Sequence, residues 1–187
     1  MTPLYTLWLP ILLSAILVYV ASTILHMVLS AWHRDDFVKL ANEDRVMDAL
    51  RPLAIPPGDY AVPRPASMQD MKSAEYLQKR TRGPVLIMTV LPSGPMTMGK
   101  SLALWFLFCI VVSFFAAYVG GAALPPGTGY PKVFQVVGTT AFVGYALAIW
   151  PTSIWYGRNW GTTVRSTIDG IAYGLLTAGV FGWLWPR

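Results

Sequence analysis

The stretch that decides the fold is "LALWFLFCIVVSFFAAYVGGAAL", from Leu102 to Leu124, which contains no charged residue. A helix needs roughly 20 consecutive apolar residues to cross the ~30 Å hydrocarbon core of a bilayer. The stretch therefore predicts a membrane-spanning helix. Similar apolar stretches, diluted by Gly and Thr toward the end of the chain, predict three more spans, over residues 1–32, 133–155 and 166–185.

The composition agrees with a membrane protein. The chain has 187 residues, of which 55% are hydrophobic and 12% are charged, whereas a soluble domain has about 25% charged residues. We therefore expect an all-α integral membrane protein with a four-helix transmembrane bundle. The lone cysteine, Cys109, excludes an intrachain disulfide.

Residues 33–101, between the first two spans, predict a small mixed cap domain. "NEDRVMDALRPL" has apolar residues at helical spacing after an Asn start, and "MQDMKSAEYLQKRTRG" predicts a second, polar helix. "PVLIMTVLPSG" is rich in β-branched residues and predicts a strand. Because a lone strand leaves its edges unpaired, it needs a partner, either the "DYAVP" stretch or another chain.

The distribution of Lys and Arg predicts the orientation. Twelve of these residues lie between His33 and Lys100 or in the loop after the third span, against only Lys132 and Arg187 on the opposite side. The positive-inside rule then puts both termini outside and residues 33–101 in the cytoplasm.

A nucleic-acid or nucleotide partner is not expected. The net charge of +5 is explained by this topology signal. The run from Gly94 to Ser101 formally matches the phosphate-loop pattern, with four residues between Gly94 and Gly99-Lys100-Ser101. However, Lys100 sits at a membrane boundary, and Pro95 removes an N–H from the loop that would cradle a phosphate.

Small residues recur every fourth position in three of the spans, which places them on one face of each helix. In membranes, such faces let helices approach closely. The residues concerned are Cys109, Ser113, Ala117 and Gly121; Thr140, Gly144, Ala148 and Thr152; and Gly170, Gly174, Ala178 and Gly182. They predict either a tight bundle or contacts with a second copy or another membrane protein, and both alternatives stay open.

Ionisable side chains within a membrane are costly and therefore indicate function. His26 lies in the inner half of the first span, and Asp169 is expected in the first turn of the fourth. The two could meet as a His–Asp pair, although the helix dipole alone could account for Asp169. Gln135 adds polarity to the outer half of the third span, where it could line a path across the membrane.

A second group of polar residues continues from His26 on the first helix. Ser22, His26, Ser30 and His33 share one face if the helix is unbroken, and Asp36 follows His33 by three residues. His26, His33 and Asp36 are thus candidate ligands of a divalent metal. The alternative is a polar stripe facing the bundle, followed by charged residues at the interface. No motif implies a specific cofactor.

Three stretches carry a resemblance: "HMVLSAWHRDDF", "LPSGPMTMGKSLALWFLFC" and "DGIAYGLLTAGVFGWLWPR". Together they resemble a group of small four-span bacterial inner-membrane proteins of unassigned function. The resemblance implies a location in the bacterial inner membrane. It implies no activity, cofactor or site residue.

Three functional hypotheses follow. The leading one is a non-enzymatic accessory or assembly subunit of the membrane, acting through the cap domain and the small-residue helix faces. The second is a small transporter or channel that uses His26, Asp169 and Gln135. The third is a membrane enzyme, or a metal or quinone site, around His26, His33, Asp36 and Asp169.

Overall fold

The computed structural model describes every residue from Met1 to Arg187 and divides them into two compact units. The four-helix unit comprises Met1–Val38 and Thr97–Arg187, and the cap unit comprises Lys39–Met96. In chain order the elements are α1 (Trp8–Thr23), α2 (Glu43–Leu50), β1 (Gly58–Val62), α3 (Ala74–Arg82), β2 (Leu86–Val90), α4 (Gly99–Ala123), α5 (Tyr130–Ala146), α6 (Trp150–Tyr156) and α7 (Trp160–Leu184).

Four helical stretches are long and apolar enough to cross a membrane, which confirms the predicted number. They are Leu4–Val28, Gly99–Ala123, Tyr130–Tyr156 and Trp160–Leu184. The fourth begins at Trp160 rather than near residue 166, because Asn159 caps it: its Oδ1 accepts a hydrogen bond of 2.7 Å from the Gly161 N–H.

Within the four-helix unit, α1 packs on α4, α4 on α5, α5 on α7, and α7 on α1, so the helices form a closed ring. The fully buried side chains inside it are mostly small or β-branched, including Ala15, Val18, Cys109, Ala116, Val137 and Ala141. Two buried serines meet in this core, where Ser14 donates a hydrogen bond to Ser113. Small side chains at these positions allow the helices to approach closely.

On the third span the expected row holds only in part: a Cβ added at Gly144 would come within 3.0 Å of Cγ1 of Val112, so Gly144 does lie at a close approach to α4. The fully buried row of α5 contains Val133, Val137 and Ala141, whereas Ala148 is exposed. Ala148 falls in a 3₁₀ turn, Leu147–Ile149, just before Pro151. Proline has no N–H to donate to the preceding turn, so the α-helix is interrupted before Pro151. Beyond this interruption, residues spaced by four no longer lie on one helix face.

Gly170 and Gly174 of α7 lie at close approaches to α5. A Cβ added at Gly170 would come within 2.7 Å of the Ala146 Cβ, and one at Gly174 would come within 3.2 Å of the Phe142 Cβ. On α4, a Cβ at Gly121 would come within 2.7 Å of the Thr2 carbonyl oxygen. These three positions have no room for a side chain unless a neighbour moves.

In the cap unit, β1 and β2 pair in antiparallel register, with Tyr60 opposite Met88. This confirms the strand and identifies the "DYAV" stretch as its partner. The predicted helices are α2 and α3, and α3 is capped by Ser73, whose Oγ accepts a hydrogen bond from the Tyr76 N–H. The unit therefore combines a two-stranded sheet with two short helices.

Replacing Gly170 with Ala tests the close contact between α5 and α7. Ala favours a helix by about 1 kcal/mol over Gly, but the added methyl group would meet Ala146, and overpacking of this kind costs about 1–3 kcal/mol. We expect a net loss in the free energy of unfolding, measured by denaturant titration in detergent.

Gly179→Ala is the matched control on the same helix, because its Cβ would meet only the Tyr130 hydroxyl oxygen, at 3.8 Å. We expect this variant to be as stable as the native protein or more so. Equal stability of both variants would contradict the close approach.

Candidate functional site

The first span does not continue as an α-helix to Trp32. It changes at Ile24–Val28 into a π-helical turn, and 3₁₀ turns follow at Ser30–Trp32 and Arg34–Asp36. Side-chain hydroxyls contribute at the point of change, where Ser22 and Thr23 both donate to the Tyr19 carbonyl oxygen. Such back-bonding bends helices, and π-helical turns are frequent at functional sites.

This irregular path brings the two histidines together. Seven residues of unbroken α-helix would separate them by about 10.5 Å along the axis. Instead, the rings of His26 and His33 stack with their centroids 4.0 Å apart and their planes 12° from parallel. The prediction of one polar stripe on a continuous helix is therefore wrong, because the α-helix ends at Thr23.

His33 lies between two carboxylates. Its Nδ1–H donates to Asp36 at 2.8 Å, and its Nε2 lies 2.9 Å from Oδ2 of Asp169. Arg165 completes the series, because its Nε donates to Asp36 at 2.9 Å and its Nη2 reaches the same oxygen. Arg165 and Asp169 are four residues apart and share one face of α7. The helix therefore contacts the His33–Asp36 segment twice, through Arg165 at Asp36 and through Asp169 at His33.

Asp36 is held in its ionised form. Burial by itself would raise the pKa of this carboxyl group, but the hydrogen bonds and charges of Arg165 and His33 outweigh that effect and lower the pKa below its usual value. With its two oxygens facing Arg165 and His33, Asp36 is not free to bind a metal beside Nε2 of His33. The prediction of Asp36 as a direct metal ligand has no support in this arrangement.

Asp169 is only 4% exposed. Its Oδ1 accepts a hydrogen bond of 3.0 Å from the Trp32 indole N–H. The prediction that Asp169 lies in the first turn of its helix is wrong, because α7 begins nine residues earlier, at Trp160. The helix dipole falls off within the first turn, so the side chains around Asp169 must stabilise its charge.

His26 is part of the same cluster but takes a different role from the predicted one. Its Nδ1–H donates to the Ser22 carbonyl oxygen at 2.9 Å. His26, His33 and Asp169 each have one potential metal-ligand atom, and these three atoms all lie within 4.8 Å of one another. The residue at ion-pair distance from Asp169 is, however, His33.

The contact between His33 and Asp169 is close but poorly directed. Although Nε2 and Oδ2 are 2.9 Å apart, the geometry of the contact is not that of a hydrogen bond. Both atoms are buried and lack an aligned hydrogen-bond partner. Buried polar groups without such partners are rare and call for an explanation. Nε2 of His33 and Oδ2 of Asp169 thus make a close electrostatic contact without a hydrogen bond between them.

Gln135 is not part of this cluster. It lines a groove of about 360 Å³ on the surface of α5 and α7, together with Phe134, Gly138, Thr139, Phe142, Ile171, Gly174 and Leu175. None of these residues belongs to the His–Asp cluster. Gln135 therefore lies in this groove, whereas His26 and Asp169 belong to the cluster.

Sequence reasoning missed Trp32 and Arg165 as site residues. The signal available was the spacing: His33 and Asp36 are three residues apart, and Arg165 and Asp169 are four apart with opposite charges. When two such pairs lie on neighbouring segments, the basic residue of each pair can contact the acidic residue of the other.

The chain was also compared with known proteins. No family model, no curated protein and no solved structure matches it.

Proposed function

We propose that the chain is an integral protein of the bacterial inner membrane, with both termini outside and residues 33–101 in the cytoplasm. The four apolar helices and the uneven distribution of Lys and Arg support this arrangement. The His–Asp cluster then lies at the cytoplasmic end of the bundle, where the first span ends and the fourth begins.

We infer that the function of the protein is to bind a small ligand or ion at this cluster. The observation that carries the inference is the buried, unaligned contact between Nε2 of His33 and Oδ2 of Asp169. A purely structural ion pair gains most when its hydrogen bond is well directed. Here two buried polar atoms face each other without one, as ligand atoms do around a bound species.

The local backbone supports the same inference. An α-helix that continued past Thr23 would satisfy its backbone groups in the bilayer without help, which is the main constraint on membrane-spanning segments. The first span departs from this geometry just where His26 and His33 are positioned. This favours the third hypothesis, a membrane enzyme or metal or quinone site, over an accessory protein.

The transporter hypothesis has less support. It needs polar side chains along a path through the bundle, but Gln135 lines a surface groove of α5 and α7, while the core cluster between the helices is mainly apolar and aromatic. A path of that kind would have to open by separating α5 from its neighbours.

The orientation can be tested with reporter fusions. A fusion at Glu75, in the cap unit, should report the cytoplasm, and fusions at Thr128 and after Arg187 should report the outside. An external signal at Glu75 would contradict the proposed topology.

A double-mutant cycle measures the coupling between His33 and Asp169. His33→Leu leaves a buried carboxylate without its imidazole partner, and losing one partner of a buried pair costs about 3–5 kcal/mol. The double replacement by Leu should cost less than the sum of the single ones, by about 1–3 kcal/mol. Unfolding in detergent gives these free energies.

The exposed pair Arg34–Asp35 is the control for this cycle. Its side chains are 77% and 69% exposed, and exposed pairs contribute only about 0–1 kcal/mol. Equal coupling energies in the two cycles would mean that the His33–Asp169 contact stabilises the protein no more than an exposed pair does.

Ligand binding itself can be screened by thermal unfolding of the purified protein in nanodiscs. The probes are Zn²⁺, inorganic phosphate and a short-chain benzoquinone, each tested on the native protein and on the His33→Leu/Asp169→Leu variant. A ligand at 100 times its Kd stabilises the folded state by about 2.7 kcal/mol. We expect at least one probe to raise the midpoint of the native protein alone. If no probe distinguishes the two proteins, the proposed function is wrong.

A further inference from the structure

We propose that the cluster is a site for a divalent transition-metal ion, with Nε2 of His26, Nε2 of His33 and Oδ2 of Asp169 as its protein ligands. This inference rests on the proposed function and names the ligand. The starting observation is that one ligand atom from each side chain lies within 4.8 Å of the other two.

The hydrogen bonds of the two histidines leave the same nitrogen free on both rings. A carbonyl oxygen can only accept, so the 2.9 Å contact between His26 and the Ser22 carbonyl requires a proton on Nδ1 of His26. Nδ1 of His33 likewise donates to the ionised Asp36. Nε2 is then the nitrogen left on each ring for a metal ion. Histidines that bind metals commonly donate their other N–H to a carbonyl or carboxylate in this way.

Asp169 supplies the anionic ligand. Its Oδ1 is occupied by the Trp32 N–H, which leaves Oδ2 buried and without an aligned donor. Zinc–nitrogen and zinc–oxygen bonds are about 2.0–2.2 Å long, so two ligands of one ion lie about 2.9–3.4 Å apart at angles of 90–110°. The 2.9 Å between Oδ2 and Nε2 of His33 falls in this range.

The ring of His26, the third proposed ligand, must change its orientation to reach the ion. Parallel rings aim their lone pairs side by side, so His26 cannot meet the same ion while stacked on His33. His26 is the exposed member of the cluster, so its ring is free to tilt out of the stack and turn Nε2 toward the ion while Nδ1 keeps its contact with the Ser22 carbonyl oxygen. His33 and Asp169 thus form a fixed pair, and His26 closes on the ion.

The donor set defines the class of metal. Imidazole nitrogen with carboxylate oxygen suits Zn²⁺, Fe²⁺, Ni²⁺ and Cu²⁺, whereas Mg²⁺ and Ca²⁺ prefer oxygen donors alone. Two histidines and one carboxylate also leave at least one coordination position for water or a substrate. Arg165 and Asp36 stay outside the ligand set as a paired layer that orients His33.

The test uses the full-length protein in nanodiscs after treatment with a chelator. Co²⁺ is the first probe, because its visible absorption reports nitrogen and oxygen ligation, and Zn²⁺ competes for the same site. We expect one Co²⁺ per chain, displaced by Zn²⁺ and not by Mg²⁺. Absence of stoichiometric binding by the native protein would overturn the proposal.

Variants then assign the ligands. Asp169→Asn keeps the shape of the side chain and should lower Co²⁺ affinity at least about 100-fold, beyond the ~10–100-fold effect of losing an outer partner. Asp35→Asn, in an exposed carboxylate that is not in the cluster, is the matched control and should leave the affinity unchanged. Equal affinities of these two variants would mean that Co²⁺ binds elsewhere.

His26→Ala keeps the proposal testable if the Asp169 variant does not fold, because His26 is exposed and its loss leaves the buried pair intact. It should weaken Co²⁺ binding and change the visible spectrum, and an unaltered spectrum would remove His26 from the site. A benzoquinone that stabilises the native protein while Co²⁺ and Zn²⁺ do not bind would overturn the metal site but uphold the proposed function.

Discussion

The burial of the Asp169 carboxylate is the constraint on which the rest of this end of the four-helix unit depends. The side chain is 4% exposed and lies well inside α7, where a charge without partners would be very costly. Both groups that approach its oxygens, the Trp32 indole and the His33 imidazole, come from one short segment. That segment reaches Asp169 only because the first span unwinds after Thr23. The buried carboxylate on the fourth span therefore requires the break in the first span, because the break brings Trp32 and His33 to Asp169.

The charges beyond this contact alternate in sign. Asp36 follows His33 and is bound in turn by Arg165, one turn before Asp169 on α7. A helical turn on one side and a 3₁₀ turn on the other therefore present matching pairs, and each ionised group faces an opposite charge or a polar ring. Such a network holds its members in fixed positions, because moving one leaves another buried and unpaired. It explains how a segment without α-helical hydrogen bonding keeps a defined geometry at the end of a bundle.

Hydropathy and spacing predicted the number of apolar helices, the strand pair in the cap unit and the residues His26, His33 and Asp169. They did not predict which histidine meets Asp169, because that depends on π-helical and 3₁₀ turns that residue periodicity does not encode. On an unbroken helix His33 would lie two turns beyond His26, so His26 looked like the nearer partner. The early start of α7 was also missed, since Thr162, Thr163 and Arg165 dilute the hydropathy there. The hydrogen bond between Asn159 Oδ1 and the Gly161 N–H shows where the helix begins.

Stability alone does not explain why the cluster is polar. Well-packed apolar side chains can replace a buried ion pair with little loss of stability, or even a gain, so packing alone does not require His33 and Asp169. The geometry gives a more specific reason. Both histidines use Nδ1 for hydrogen bonds to the protein, Trp32 occupies one oxygen of Asp169, and the free Nε2 of His33 lies 2.9 Å from the other oxygen of Asp169. Two imidazoles and a carboxylate whose other polar atoms are already bonded, each with a ligand atom within 4.8 Å of the other two, form a donor set that a shared ligand can use and that apolar packing does not need.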